Sequence, residues 1–225
     1  MSLDVVIEFD KVPIYQKDNL VLTEVSFQIE KGEFVYIIGR TGSGKSSLLK
    51  TIYAELPVLE GSARVVDHDL RKLRSREVPF LRRKLGIVFQ DFQLLTDRNV
   101  NENLLFVMKA TGWKDKRKME ERMQDVLEKV GLGTKGFKMP HQLSQGEQQR
   151  VSIARALVND PDIILADEPT GNLDPESSKG IMRLLFDIRT AGRAVVMATH
   201  DYSLFQDFKA RTLKCEDGNL LELID

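Results

Sequence analysis

Eight consecutive residues, Gly39-Arg40-Thr41-Gly42-Ser43-Gly44-Lys45-Ser46, carry the densest chemical signal in the chain. They match the spacing G-x-x-x-x-G-K-[ST]. They follow an apolar run, Phe34–Ile38, and precede a helix-like stretch over 46–54 with Leu48, Leu49 and Ile52 on its apolar side. A strand, a glycine loop and a helix in that order are the context this spacing requires. The glycines let the backbone curl around an anion, with amide N–H groups and a helix N-terminus directed at a polyphosphate. In that arrangement Lys45 reaches the β- and γ-phosphates and the Ser46 hydroxyl ligates Mg²⁺. A glycine-rich turn that binds nothing is the plain alternative, and the strand–helix context disfavours it.

Two further groups of residues have spacing that could do chemistry. The run Ile163-Ile164-Leu165-Ala166 ends in Asp167-Glu168, followed by Pro169-Thr170. Acids at the carboxyl end of a buried strand stand where α/β ligand sites form. Asp167 is expected to hold Mg²⁺ and Glu168 to orient or deprotonate water. Successive strand residues point to opposite faces, so different roles require that the strand end here and the chain turn. The second group, Leu143-Ser144-Gln145-Gly146-Glu147, precedes a helical run over 151–158. Ser144 and Glu147 form an S-x-x-E capping box, an ordinary helix start. Capping leaves Gly146 unexplained, because glycine costs about 0.5–1 kcal/mol against alanine inside a helix. A bare backbone there suits close approach to a phosphate.

Several elements must position these groups. Apolar runs recur over 5–9, 22–29, Phe34–Ile38, 85–89, 163–166 and 194–198. The last four are nearly continuous, the pattern of parallel strands buried on both faces. The first two look like an antiparallel appendage. Amphipathic helices lie between; over 119–132, Met119, Met123, Val126, Leu127 and Val130 share one stripe. The expected class is therefore α/β in a single domain over 1–225. With 33 basic and 34 acidic residues the net charge is −1, which gives no global field for nucleic acid. A single cysteine, Cys215, excludes an internal disulfide. No apolar run approaches the roughly 20 residues of a membrane span, and the N-terminus does not read as a secretory signal, so a cytoplasmic location is expected.

Order and spacing of the motifs resemble the ABC ATPases over essentially the whole length. GRTGSGKS is similar to their Walker A, IILADE to Walker B and LSQGE to the signature. Gln90 resembles the Q-loop residue, Gly171-Asn172-Leu173-Asp174 the D-loop, and His200 the switch histidine. Tyr15 stands where the family places a ring that stacks on adenine, although a lone tyrosine near a strand more often packs. One departure is Gln145, where the family's signature usually has its first glycine. A left-handed backbone there would strain Gln145; the retained Ser144 and Gly146 are expected to keep the phosphate contacts. The resemblance implies a P-loop ABC ATPase fold: a mostly parallel sheet core, an N-terminal antiparallel β subdomain and an inserted helical subdomain over about 92–158.

The same resemblance implies ATP and Mg²⁺ as ligands and a second copy of the chain as partner. Tyr15, Gly39, Arg40, Thr41, Gly42, Ser43, Gly44, Lys45, Ser46 and Ser47 would hold the nucleotide, with Ser144, Gly146 and Asp174 completing the partner's site. Ser46, Gln90 and Asp167 would hold the metal; Glu168, His200 and Gln90 would be catalytic. Within the family, LADEPTGNLD resembles a group serving lipoprotein release, macrolide efflux and cell division, and the stretches 76–83 and 89–100 look most like its bacterial cell-division branch. That branch implies an FtsX-like integral membrane subunit and a peripheral place at the inner face of the membrane. Its docking groove would be lined from the 92–106 stretch, where Phe92, Leu94, Leu95, Leu104, Leu105 and Phe106 would partly be core. A weakly hydrolysing, nucleotide-dependent scaffold is the alternative of another class. Coiled-coil DNA-repair ATPases and two-domain translation factors are disfavoured by the single short chain. Residues 71–84 hold seven Lys/Arg and one acid, Glu77. A solvated face is the ordinary reading of such a run, and attraction to anionic lipid the sharper one.

Overall fold

A computed structural model describes residues 4–223. Its central sheet has six strands in the order β10-β9-β3-β8-β7-β6. These are β3 (Phe34–Ile38), β6 (Leu85–Val88), β7 (Ile163–Asp167), β8 (Ala194–Thr199), β9 (Arg211–Glu216) and β10 (Asn219–Leu223). Five run parallel and β10 closes antiparallel on β9. A second, antiparallel sheet has the order β2-β1-β4-β5, from β1 (Val5–Gln16), β2 (Asn19–Glu30), β4 (Ser62–Val65) and β5 (His68–Asp69).

The continuous apolar runs explain themselves once the two cores are separated. In β3, Val35 and Ile37 enter one hydrophobic cluster while Phe34, Tyr36 and Ile38 enter the other. The same alternation divides Ile163 and Leu165 from Ile164 and Ala166, and Val196 from Val195 and Met197. Side chains alternate with period two, so a strand covered on both faces must be apolar at every position. One core lies beneath the antiparallel sheet and α1 (Lys45–Ile52); the other lies beneath α3 (Val100–Ala110), α4 (Lys116–Lys129), α5 (Gln145–Leu157) and α6 (Pro175–Thr190). A short α2 (Val78–Arg83) leads into β6.

The expected antiparallel appendage and parallel core are both present. The stripe on α4 packs as expected, with Met119, Val126, Leu127 and Val130 buried and Met123 partly so. Several elements differ from the sequence reading. β1 continues past Phe9 because a register irregularity, with Lys11 at φ 50°, absorbs the polar Asp10-Lys11 pair, and the Lys11 amide donates to Ser26 Oγ at 2.8 Å. α5 begins at Gln145, a full turn before the apolar run, because Ser144 caps it. β9 and β10 carry too many polar residues to read as core, and they sit at the sheet's edge, where such residues reach water.

Candidate nucleotide site

β3 ends beneath the glycine loop and α1 leaves it, so the loop sits at the carboxyl edge of the parallel sheet. Gly44, the N-cap of α1, has φ 104°, and no side chain caps the helix. The first-turn amides of α1 therefore face the loop without a protein acceptor from their own cap. A side chain at Gly44 is also barred sterically, since a Cβ would lie 2.9 Å from Val21 Cγ1. Lys45 is buried and its Nζ donates to the carbonyls of Gly39 (2.9 Å) and Arg40 (3.2 Å), which places the ammonium inside the curl of the loop. Ser43 Oγ is buried without a hydrogen-bond partner. Gly42, Gly44, Lys45, Ser46 and Ser47 line one cavity of about 220 Å³ together with Gln16 and Val21. Tyr15 is the strand neighbour of Gln16, half-buried opposite Leu20, and does not line that cavity. Arg40 and Thr41 are exposed at the loop's tip.

The carboxylates arrive from β7. Ser46 Oγ donates to Asp167 Oδ1 at 3.2 Å, so the two groups expected at the metal meet across the loop. Burial pushes the Asp167 carboxyl up, against the Ser46 hydrogen bond and with help from the Glu168 charge. A half-buried carboxylate beside a hydroxyl is a hard-oxygen pair suited to Mg²⁺, with phosphate and water able to supply the remaining ligands. An ammonium, open helix amides, an orphaned hydroxyl and this oxygen pair together fit a nucleotide polyphosphate with its cation.

Glu168 follows the strand with φ 49°, in the left-handed region that costs a non-glycine residue about 1–2 kcal/mol. That turn resolves the difficulty of adjacent acids pointing to opposite faces. Glu168 Oε1 lies 2.7 Å from His200 Nδ1 and 3.8 Å from Lys45 Nζ, and Oε2 accepts from the His200 amide at 3.3 Å. β8 ends at Thr199, so the histidine is delivered by the neighbouring parallel strand. Strain of this kind at a polar cluster marks functional sites. Gln90 leaves β6 two residues after its end; its Nε2 lies 3.1 Å from where a Cβ on Gly171 would stand, and its carbonyl accepts from Asn172 Nδ2 at 3.1 Å. Gln90 is thus held against the D-loop rather than hydrogen-bonded to Ser46 or Asp167.

The signature residues stand elsewhere. Ser144 and Glu147 form the reciprocal capping box, at 2.9 and 3.3 Å, and Lys135 pairs with Glu147. Gln145 is the first residue of α5, with no left-handed backbone, so the departure from the usual signature carries no strain. Gly146 has an intramolecular reason that sequence spacing did not reveal: a Cβ there would lie 2.9 Å from Ser177 Oγ and 3.2 Å from its Cβ, on the first turn of α6. Asp174 caps α6, accepting from the amides of Glu176 (3.1 Å) and Ser177 (3.0 Å). The cavity lined by Ser144, Gly146, Arg150 and Arg183 shares no residue with the one around the glycine loop.

Residues 22–171 match the family model described as ABC transporter. The chain belongs to the ABC transporter family. It binds and hydrolyses ATP. It is 41% identical over 212 residues to the cell division ATP-binding protein FtsE of Streptococcus pneumoniae, covering 94% of this chain and 92% of that one. To FtsE of Escherichia coli it is 46% identical over 202 residues, covering 88% and 89%. Among solved structures it resembles a dimeric post-hydrolysis state of the cassette MJ0796 bound to ADP and Pi, with TM-score 0.81, 34% identity and coverage of 96% and 97%.

Two residues of this ATPase stand close to the site without having been singled out from the sequence. Gln149 on α5 is fully buried and its Nε2 donates to the carbonyls of Pro169 (2.8 Å) and Phe89 (3.4 Å), the neighbours of Glu168 and Gln90. Arg155, two turns further along, donates to the carbonyls of Phe92 (2.8 Å) and Gln93, which both have left-handed backbones at φ 58° and 47°. Their only sequence signal was polarity on the otherwise apolar face of a helix.

Proposed function

We propose that this ATPase works as one half of a pair that buries two ATPs, and that it passes the opening and closing of the pair to an FtsX-like membrane subunit in bacterial cell division. The observation that carries the paired reading is the separation of the two cavities: Ser144 and Gly146 line one that shares no residue with the cavity of their own chain's glycine loop. A second copy presenting its signature would complete the site, with Asp174 at the seam. In this reading Tyr15 would stack on adenine, the 39–47 loop would hold the phosphates, and Ser46, Asp167 and Gln90 would hold Mg²⁺, which when bound would offset charge on the transferring phosphoryl group. Glu168 takes the proton of the attacking water, with His200 fixing its carboxylate and Gln90 registering the γ-phosphate. The names of the relatives support the cell-division assignment.

A groove of about 500 Å³ supports the membrane partner. It runs between α2 and α3 and is lined by Leu95, Phe106 and Val107 together with Gln93 and Arg155. Of the apolar residues expected there, Phe92 does not line the groove, Leu104 is core and Leu94 and Leu105 pack on core, so the expected anchor pair Leu95 and Phe92 is corrected to Leu95 and Phe106. The helices of 92–158 form the inserted subdomain that carries the signature and one wall of this groove. Through Arg155 the groove touches the segment three residues beyond Gln90.

The pairing is tested by light scattering of Glu168→Gln protein with ATP and Mg²⁺, which should shift from monomer to dimer. Adding Ser144→Arg should cancel the shift; dimerisation of the double variant as complete as that of Glu168→Gln would sink the composite site. Capture of the membrane subunit by Leu95→Glu and Phe106→Glu proteins that still bind ATP should fall. Undiminished capture by both would move the docking surface elsewhere.

A further inference from the structure

We propose that the face formed by residues 71–77, α2 and the mouth of the α2–α3 groove is a contact surface for anionic lipid headgroups. Arg71, Lys72, Arg74 and Arg76 are all exposed, on a chain whose net charge is only −1. Of the nearby acids, Asp69 pairs with Lys72, and the Glu77 carboxylate is taken by the Arg74 amide at 2.9 Å. Among the described residues, the side chains of Arg74 and Arg76 make no ion pair, so their charge is free to meet a partner. The exclusively solvated face that such a run ordinarily denotes does not account for what stands beside it.

Phe80 on α2 is 57% exposed and Phe106 on α3 is 47% exposed. Each ring carries a guanidinium over its face: Arg83 at 5.2 Å from the Phe80 centroid, and Arg98 at 5.0 Å from that of Phe106. The groove that Phe106 lines beside α2 is also lined by Arg82, Arg83 and Arg155 and by no acid. Exposed aromatic rings with a guanidinium over one face, next to a free basic segment, suit the boundary between headgroups and acyl chains. A polynucleotide would stack its bases on ring faces, and here one face of each ring is already covered by a guanidinium. Phe106 is shared with the groove proposed for the membrane subunit, whereas Arg74, Arg76 and Phe80 lie outside its lining and report the lipid contact separately.

Each basic residue close to an anionic surface adds about fivefold to partitioning, so reversing two should lower it by roughly 25-fold or more. The test is co-sedimentation of the purified chain with vesicles of phosphatidylcholine alone or with a third of phosphatidylglycerol. Wild type should bind the mixed vesicles, release them at high salt and ignore neutral ones. Arg74→Glu with Arg76→Glu should lose binding, and Phe80→Ser should weaken it, while both keep ATP binding as proof of folding. Lys31→Glu with Lys209→Glu changes charge equally beside β3 and β9, across the sheet from β6, and should bind as wild type. Equal binding to neutral and anionic vesicles, or undiminished binding by the Arg74/Arg76 variant, would overturn the proposal. Capture of single-stranded RNA but not vesicles, lost in that variant, would overturn it too and give the patch to nucleic acid.

Discussion

Replacing Gln149 by methionine separates positioning from packing. Methionine matches the length of the side chain and removes only its amide. The wild-type bond from Nε2 to the Pro169 carbonyl, at 2.8 Å, contributes about 1 kcal/mol, and leaving that carbonyl buried without a donor costs about 1–3 kcal/mol. The contact to Phe89 at 3.4 Å lies at the edge of hydrogen-bond geometry and contributes little. Against this stands Gln149 Oε1, buried with no partner, whose removal returns about 1–3 kcal/mol. The sum is near zero, within about 2 kcal/mol either way, so the melting temperature should move by no more than roughly 6 °C. Turnover should behave differently. Pro169 follows Glu168 and Phe89 precedes Gln90, and a displacement of about 1 Å at a reacting group can cost on the order of a hundredfold. A fall in kcat of about tenfold or more is expected, with KM for ATP unchanged because Gln149 touches no part of the glycine loop. Steady-state ATPase assays and thermal melts on the same preparations decide the matter. Wild-type kcat, or a drop in melting temperature above 10 °C with activity lost in proportion, would refute the positioning role.

Lys45→Ala should weaken ATP binding at least about thirtyfold, because truncating a buried charge contact costs about 2–5 kcal/mol; calorimetry giving equal affinities would refute its phosphate role. The Lys135 hydrogen bond and the Ser144 amide hold the Glu147 carboxyl below its usual range. A depressed folded-state value contributes stability above the ordinary carboxylate range and loses it as pH falls through the folded value. Glu147→Gln should therefore melt lower than wild type at neutral pH, with the gap closing on acidification; a gap independent of pH contradicts this. Burial pushes the Cys215 thiol up to about 11, so a maleimide at pH 8 should label it in urea but not in the native protein. Rapid native labelling would show that the strand beneath the glycine loop opens.

The sequence alone determined the local chemistry and the parallel core. A G-x-x-x-x-G-K-[ST] loop between an apolar strand and a helix can be read without tertiary information, because each requirement is local: curl, amide direction and one ammonium. The buried strands declared themselves because a strand covered on both faces has no polar position. Ser144 and Glu147 declared a cap for the same local reason, a hydroxyl and a carboxylate three residues apart. The tertiary fold decided what depends on distant chain segments meeting. Gly146 leaves room for the Ser177 side chain, which a Cβ would crowd, 31 positions away by number. Glu168 meets His200 because β7 and β8 are parallel neighbours and a left-handed turn re-aims the acid, and no local pattern encodes that strand order. Gln149 and Arg155 look like ordinary polar positions on a helix, and only docking α5 beneath two loops gives their donors carbonyls to hold. Strands β9 and β10 were hidden because polar alternation leaves little hydrophobic signal, while pairing of β9 with β3 and of β10 with β9 supplies the hydrogen bonds that make them strands.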